Sequence, residues 1–338
     1  MTTGSRGTVL VTGGAGFLGS YVVRGLADRG YSCVSLDVTD PTAEARYVAD
    51  DADVVYHSGD VRDAELLGEM FARYQPSAVM HVASIVNPVA LAQDPRRAFD
   101  VNIGGTVNVL EQSHRYGVTK LVYFSSVSVL PRIVEEPIPV GHPVLLASEG
   151  PAGGFYGASK VAGEAFCMAA NAGMGMDCAI VRPSAVYGLG MQWPMSIKPL
   201  VEGAVRGHDV HLDHGSHVPR DYTHAEDVAS LAVAVLDAPA HGDRIFYGAT
   251  GGPLTTPLTL ADLVRELVPE SRSTLSDEAT DDDQREASYR GRLSIDNAAS
   301  QLGWRPRWAD IRSGLQHYVQ QVRDFDSQVR PTVPDQNG

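Results

Sequence analysis

The sequence predicts an α/β fold: a doubly wound parallel sheet with a smaller C-terminal lobe. Three observations predict it. Short β-rich runs alternate with longer amphipathic stretches through the first half of the chain, and this alternation gives parallel strands joined by right-handed crossovers. A glycine-rich turn directly follows the first β-rich run and opens the first helical stretch. After Val181 the rhythm breaks, Gly, Pro and His become frequent, and the helical pieces are separated by irregular loops.

In chain order, Val9–Thr12, Cys33–Leu36, Val54–Tyr56, Ala78–Val82 and Leu121–Phe124 read as strands. Phe17–Asp28, Ala64–Tyr74 and Pro95–Tyr116 carry apolar residues at helical spacing between them. A further helix starts at Tyr156 and runs to about Ala170. Beyond the break, Ile197–Arg206 and Leu260–Leu267 are helical, while the helix Ala225–Leu236 and the strand Arg244–Tyr247 return to the main sheet. The expected organisation is a sheet domain over 1–182 with 225–248 returning to it, a second lobe from 183–224 and 249–330, and a polar, Pro-rich, frayed tail at 331–338. No internal repeat stands out.

Composition narrows the function classes. The chain has 338 residues, 43% hydrophobic and 20% charged, ordinary for a globular protein with a substantial core. A net charge of −14 argues against nucleic acid as a partner, because a polyanion would be repelled. The run Asp281-Asp282-Asp283 reads as a solvated loop. Cys33, Cys167 and Cys178 form no C-x-x-C pair, so neither a disulfide framework nor a zinc site is expected, and a reducing cytoplasm fits. No secretory signal is visible. The apolar stretch Val9–Val23 is broken by glycines, so no membrane association is expected.

The strongest local motif is Gly13-Gly14-Ala15-Gly16-Phe17-Leu18-Gly19 after Val9-Leu10-Val11-Thr12. Gly13, Gly16 and Gly19 permit a tight turn, close approach of a pyrophosphate and close helix packing. The helix that follows offers free N–H groups and a positive dipole end. A strand before the turn and a helix after it are the context that makes this a Rossmann dinucleotide site. Asp37, ending the second strand 18 residues beyond Gly19, can accept both ribose hydroxyls and would repel an extra phosphate there. The nearest Arg that follows, Arg46, is nine positions on, so NAD is expected rather than NADP.

Tyr156 and Lys160 stand four apart on one predicted helix face, which brings the ammonium near the phenol. A Tyr near 10 is too weak a base at neutral pH, and a neighbouring Lys cation together with a nicotinium would lower it. Ser125-Ser126 ends the strand Leu121–Phe124, where ligands bind in open parallel sheets, and Ser126 can hydrogen-bond a reacting oxygen.

With these motifs the chain resembles the extended short-chain dehydrogenase/reductase family, the NAD-dependent epimerase/dehydratase group. The marks run from about Thr8 to Leu315 in the family's order. Beyond the glycine turn and Asp37, they include Gly59-Asp60-Val61-Arg62-Asp63, His81-Val82-Ala83 and Val101-Asn102-Ile103-Gly104-Gly105-Thr106. Ser125-Ser126, Tyr156 to Lys160 and Arg182-Pro183-Ser184-Ala185-Val186-Tyr187-Gly188 follow. Arg220-Asp221-Tyr222-Thr223-His224-Ala225-Glu226-Asp227 and Leu302-Gly303-Trp304-Arg305-Pro306 complete the series. The resemblance implies that Ser126, Tyr156 and Lys160 are catalytic, with Asn102 behind the Lys in a proton relay. It also implies that Gly13, Gly16, Phe17, Leu18, Gly19, Asp37, Asp60, Val61, Ala83, Lys160 and Pro183 hold NAD. Ser84, Ser126, Tyr156, Arg220 and Arg290 would face the substrate. A homodimer joined by Pro95–Tyr116 and Tyr156–Ala170 is implied as well.

Family members that dehydrate a sugar resemble Thr-Asp-Glu at the strand end, whereas this chain has Ser126-Val127-Ser128, and Val127 cannot transfer a proton. The expected reaction is therefore hydride transfer alone. Arg220 matches an Arg that grips the diphosphate of a sugar nucleotide, with Arg285, Arg290 and Arg292 as candidates for a second Arg. Ala185 stands where many such enzymes have Asn, Val129-Leu130-Pro131 replaces the usual Val-Tyr-Gly, and the insert Pro131–Gly154 is apolar and Pro-rich. Three readings stay open: a sugar-nucleotide epimerase, a dehydrogenase or reductase of a non-nucleotide secondary alcohol such as a sugar acid or steroid, and a dinucleotide-binding module without turnover. His208, His211, His214 and His217 recur every third residue, a spacing that does not gather four imidazoles on one strand face, so no metal is expected.

Overall fold

The computed structural model describes residues 6–50, 52–130, 133–144, 154–239 and 242–329. The predicted tail at 331–338 and much of the insert Pro131–Gly154 lie outside them. In order, the chain forms β1 (Thr8–Thr12), α1 (Phe17–Asp28), β2 (Ser32–Asp37), α2 (Ala43–Ala49), β3 (Val54–Ser58), α3 (Ala64–Tyr74), β4 (Ala78–His81), α4 (Pro88–Gln93), the single turn α5 (Pro95–Arg97), a π-helical segment Ala98–Gly104, α6 (Gly105–Arg115) and β5 (Lys120–Phe124). After a 3₁₀ turn at Val127–Val129 come α7 (Phe155–Met174), β6 (Cys178–Pro183), β7 (Ala185–Tyr187), α8 (Ile197–Arg206), β8 (Val210–Leu212), β9 (Tyr222–His224), α9 (Ala225–Asp237) and β10 (Ile245–Gly248). The last elements are α10 (Pro257–Leu267), β11 (Ser273–Leu275), α11 (Asp281–Ala287), α12 (Asp296–Leu302) and α13 (Ile311–Val329).

Seven strands make one parallel sheet in the order β3-β2-β1-β4-β5-β6-β10, the doubly wound arrangement predicted. Its central strands are buried on both faces, as the all-buried β5 illustrates, because helices cover each side. One apolar cluster joins Val9, Val22, Leu26, Val122, Val228 and Leu231 on one face, and another joins Leu10, Val34, Phe71, Leu110, Leu121 and Cys167 on the other. A third cluster, including Leu200, Tyr222, Leu260, Leu315, Tyr318 and Phe325, forms around α8, α10 and α13. The pairs β7–β9 and β8–β11 stand apart from the main sheet.

Two expectations are corrected. Pro95–Tyr116 is not one helix: α5 passes into a π-helical segment before α6 resumes. Gly105 sits where a Cβ would come within 2.5 Å of Val61 Cγ2, so the backbone is drawn close to the neighbouring loop, and the π segment turns Asn102 into the interior. The Asp281-Asp282-Asp283 run is not a loop but the first turn of α11, with Thr280 and Asp283 capping each other. Acidic residues suit the positive end of a helix, which explains why the run folds there.

Candidate active site

The crossover reversal between β1 and β4 opens a crevice at the carboxyl ends of the strands, where open α/β sheets bind ligands. Here a cleft of about 1100 Å³ runs from Gly13, Gly16, Phe17, Leu18, Gly19, Asp37, Asp60, Val61 and Ala83 to Tyr156, Lys160, Arg220 and Arg290. At its dinucleotide end the backbone is tightly drawn. Gly13 has φ +74°, and a Cβ there would lie 2.7 Å from the amide nitrogen of Ala83 at the end of β4. A Cβ on Gly19 would collide with the carbonyl of Gly13. Helix α1 begins at Gly16 without a capping side chain and without an acid in its first turn, so its N–H groups remain available to an anion.

Asp37 Oδ2 accepts from Ala15 N at 3.2 Å and Oδ1 from Thr39 N at 3.2 Å, which fixes the carboxylate at the rim of the glycine turn. Asp60 is held by the Arg62 guanidinium at 2.9 and 2.7 Å, and that contact holds its carboxyl below the usual carboxylate range. His81, behind this loop, lies between Thr12 Oγ1 at 2.7 Å and Thr106 Oγ1 at 2.9 Å, and burial drives it down to about 3, so it is a neutral structural strut. A Gly cradle, a bare helix N-terminus and a ribose-height carboxylate together fit the dinucleotide predicted.

The residues expected to be catalytic converge at the end of β5 and the start of α7. Lys160 is buried, and its Nζ donates to Phe124 O at 2.8 Å and lies 5.7 Å from the Tyr156 ring centroid. Burial lowers Lys160 to about 7 and, opposed by the neighbouring Ser126 hydroxyl, raises Tyr156 to about 12. The protein alone therefore holds Tyr156 as a phenol. Ser126 Oγ contacts Ser128 Oγ at 3.1 Å and accepts from Ser128 N at 3.0 Å. Asn102 reaches α7 through Ser159: its Nδ2 donates to Ser159 Oγ at 3.0 Å and to Ile85 O at 3.1 Å, while its Oδ1 accepts from Ile85 N. Ser84 Oγ, lining the same cleft, is buried without a hydrogen-bond partner among the described residues. Pro183 closes β6 at the cleft wall.

Sequence reasoning missed Glu164. It lies four residues past Lys160, on the face that already carries Tyr156, so the same periodicity could have found it. Glu164 takes Arg182 in a bidentate pair at 2.8 and 2.7 Å, and Ser125 Oγ donates to it at 2.6 Å. Both ions are at least nine-tenths buried. The pair ties α7, β6 and the end of β5 together directly beneath Ser126.

At the other end of the cleft the structure brings Arg220 and Arg290 together. Arg220 meets neither Asp221 nor Glu226. Its Nη2 donates to Glu286 Oε1 at 2.6 Å, and Arg290 Nη2 donates to the same oxygen at 2.7 Å. Asp221 is engaged by Ser184, Thr223 and Thr250 instead, and Glu226 by His317, Trp308 and Gln321. Arg285 pairs on the surface with Asp282, and Arg292 is exposed, so of the three candidates Arg290 is the one that lines the cleft beside Arg220. Leu130, Ile138, Met191, Trp193 and Leu254 give the walls between Tyr156 and this trio an apolar character.

The histidines at 208, 211, 214 and 217 do not assemble: His211 pairs with Asp213 and His217 with Asp277 O, each in partial or full exposure. Among the described residues, His224, Glu226 and His317 do come within ligand distance of one another. His224 Nδ1, however, accepts from Glu226 N at 3.2 Å, which leaves the neutral ring's proton on Nε2 facing Gln321 Oε1 at 3.1 Å. A ring so protonated presents no lone pair to a cation, and the group is a hydrogen-bond network.

Comparison with known proteins agrees with this geometry. The model of the NAD dependent epimerase/dehydratase family matches residues 9–247. The chain is 30% identical over 325 residues to the UDP-glucose 4-epimerase of Mycolicibacterium smegmatis, covering 93% of this chain and 98% of that protein. Over 210 residues it is 33% identical to a 3 beta-hydroxysteroid dehydrogenase/Delta 5→4-isomerase of Mycobacterium tuberculosis, covering 61% of this chain and 54% of that protein. Among solved structures, the UDP-glucose 4-epimerase of Thermotoga maritima with UDP-glucose superposes with a TM-score of 0.81 at 25% identity, over 94% of this chain and 99% of that one. On its matched span, its sheet order and its Tyr156/Lys160 cleft, the chain belongs to the NAD-dependent epimerase/dehydratase family.

Proposed function

We propose that the chain is an NAD-dependent epimerase that inverts a secondary alcohol of a sugar nucleotide through a keto intermediate. The observation that carries this reading is one continuous cleft joining Tyr156 and Lys160 to paired guanidiniums at Arg220 and Arg290. Similarity to UDP-glucose 4-epimerases over nearly the whole chain supports it. Gly13, Gly16, Phe17, Leu18, Gly19, Asp37, Asp60, Val61, Ala83 and Pro183 would hold NAD. NAD held there would supply the reversible hydride acceptor that epimerisation through a ketone needs, and a positive charge. Tyr156 takes the alcohol proton and gives it back, acting as general base and then acid. Lys160 supplies the cation that makes the phenolate accessible, Ser126 holds the reacting oxygen, and Asn102 steadies α7 behind them through Ser159. Ser84 offers its free hydroxyl to the sugar.

The remaining organisation follows the same reading. The lobe formed by 183–224 and 249–330 would bind the nucleotide, against a dinucleotide domain at 1–182 completed by 225–248. A homodimer would cover Phe99 and Phe166, both about half exposed on the segments 95–116 and 156–170. A reducing cytoplasm suits three buried free thiols, and no helix among the described residues is long and apolar enough to cross a membrane.

A second reading, NAD-dependent oxidation of a bulky non-nucleotide alcohol, is favoured by the Glu286 carboxylate between the two arginines and by the apolar walls. One experiment separates them. Incubated with UDP-glucose and NAD, an epimerase yields the 4-epimer with no net rise in NADH absorbance. Net NADH from a steroid or sugar acid offered in place of UDP-glucose, with UDP-glucose itself left unchanged, would replace the first reading by the second.

A further inference from the structure

Glu286 occupies the position from which two arginines would grip a diphosphate. Arg220 and Arg290 both donate to its Oε1, and among the described residues no second carboxylate pairs with either. The trio carries one net positive charge, whereas a diphosphate diester carries two negative charges. With Glu286 in place the ligated site would hold a surplus negative charge in a cleft partly closed to water. With Glu286 gone, two guanidiniums and two phosphoryl charges balance. At the trio, Arg290 Nε and the nearby Tyr222 hydroxyl are buried without hydrogen-bond partners among the described residues. Glu286 has a way out, since its side chain is 42% exposed near the end of the seven-residue helix α11. Arg220 is held instead, its backbone paired in both directions with Thr255.

We propose that Glu286 is a displaceable counter-ion, holding Arg220 and Arg290 together until the substrate's diphosphate replaces its carboxylate. The proposal rests on the sugar-nucleotide reading and adds a residue that sets how strongly the site discriminates against singly charged ligands. While Glu286 stays, a monoanion gains little from the pair; a diphosphate gains enough to expel it.

The test is calorimetric titration of UDP-glucose into the NAD-loaded protein, comparing wild type, Glu286→Gln and Asp282→Asn. Asp282 lies on the same helix in an exposed pair with Arg285, so its variant removes an equal charge away from the trio. Glu286→Gln should bind UDP-glucose more tightly by on the order of tenfold, since a like charge at contact distance has been removed, with NAD affinity unchanged. Asp282→Asn should change affinity by less than about twofold, because exposed charges are screened. Unchanged or weaker binding in Glu286→Gln, or an equal gain in Asp282→Asn, overturns the proposal while wild-type binding leaves the sugar-nucleotide reading standing. Absence of binding in both wild type and Glu286→Gln overturns both. Glu286→Ser repeats the measurement if the Gln variant does not fold, and unfolding of both variants makes Glu286 a structural strut and overturns the proposal.

Discussion

At Tyr156 two influences oppose each other: burial pushes the phenol up to about 12, and the adjoining Ser126 hydroxyl pulls it down. The second influence is too weak alone, so a role for Tyr156 as base requires cations brought beside it. Tyr156→Phe removes one oxygen and should lower turnover by about 10²–10⁴-fold while NAD affinity and thermal midpoint hold; a Phe variant with full turnover would take Tyr156 out of the mechanism. Lys160→Met removes the nearest cation, and the pH at which turnover rises should move upward, read from a pH–rate profile. At Asp37 the expected selectivity is electrostatic. Titration should give tighter binding of NAD than of NADP, and Asp37→Ala should weaken NAD and narrow the gap; equal affinities in the wild type would remove Asp37 from the ribose site.

Between elements, the Glu164–Arg182 pair is one of the ties between α7 and the sheet, beside Lys160 to Phe124 O and Asn171 to Cys178. Removing one partner of a buried pair strands the other charge, at a cost of about 3–5 kcal/mol. Glu164→Ala should therefore lower the urea midpoint sharply, and Arg182→Met added to it should recover part of the loss, because the stranded charge is gone. Elements of this kind are legible to very different degrees. Helix α1 is delimited at both ends by its pattern, and the glycine turn, Asp37, Tyr156 and Lys160 are legible because each lies in a local motif. Glu164 extends the same helical face and is legible by the same rule. The break in the helix before α6 is not, since the π segment is imposed by packing of Gly105 on Val61 rather than by periodicity. Glu286 is invisible for a related reason. It stands 66 residues beyond Arg220, in a short acidic helix whose composition suggests a solvated surface, and only the tertiary fold carries it to the cleft.

For the molecule as a whole, burial of neutral histidines sets the response to acid. His81 and His224 are lowered to about 3 and about 4 by burial, against about 6.5 in an unfolded chain. Above pH ~6.5 neither state binds these protons; below it the unfolded chain takes them first, so stability falls as pH drops toward about 4. Glu226, lowered to about 2 in spite of burial by His317, His224 and Trp308, adds stability above the unfolded value that is lost as pH falls through the folded one. Lys160, lowered to about 7, acts on the alkaline side: its penalty is full below that value and fades as pH rises toward the unfolded value. Thermal midpoints should therefore climb from about pH 5 to pH 8, and a flat or falling series across that range would contradict these burial assignments. The face-to-face packing of α1 and α9 reaches further, into the making of the protein. Val22, Val23 and Leu26 are covered by a helix synthesised about 200 residues later, with Gly25 seated against Val233. At about 5–20 residues per second, the first helix leaves the ribosome on the order of 10–40 s before its cover exists. During that interval its apolar stripe is a chaperone's natural substrate, and a nascent chain stalled before Ala225 should partition into aggregates where one released after Gly248 does not.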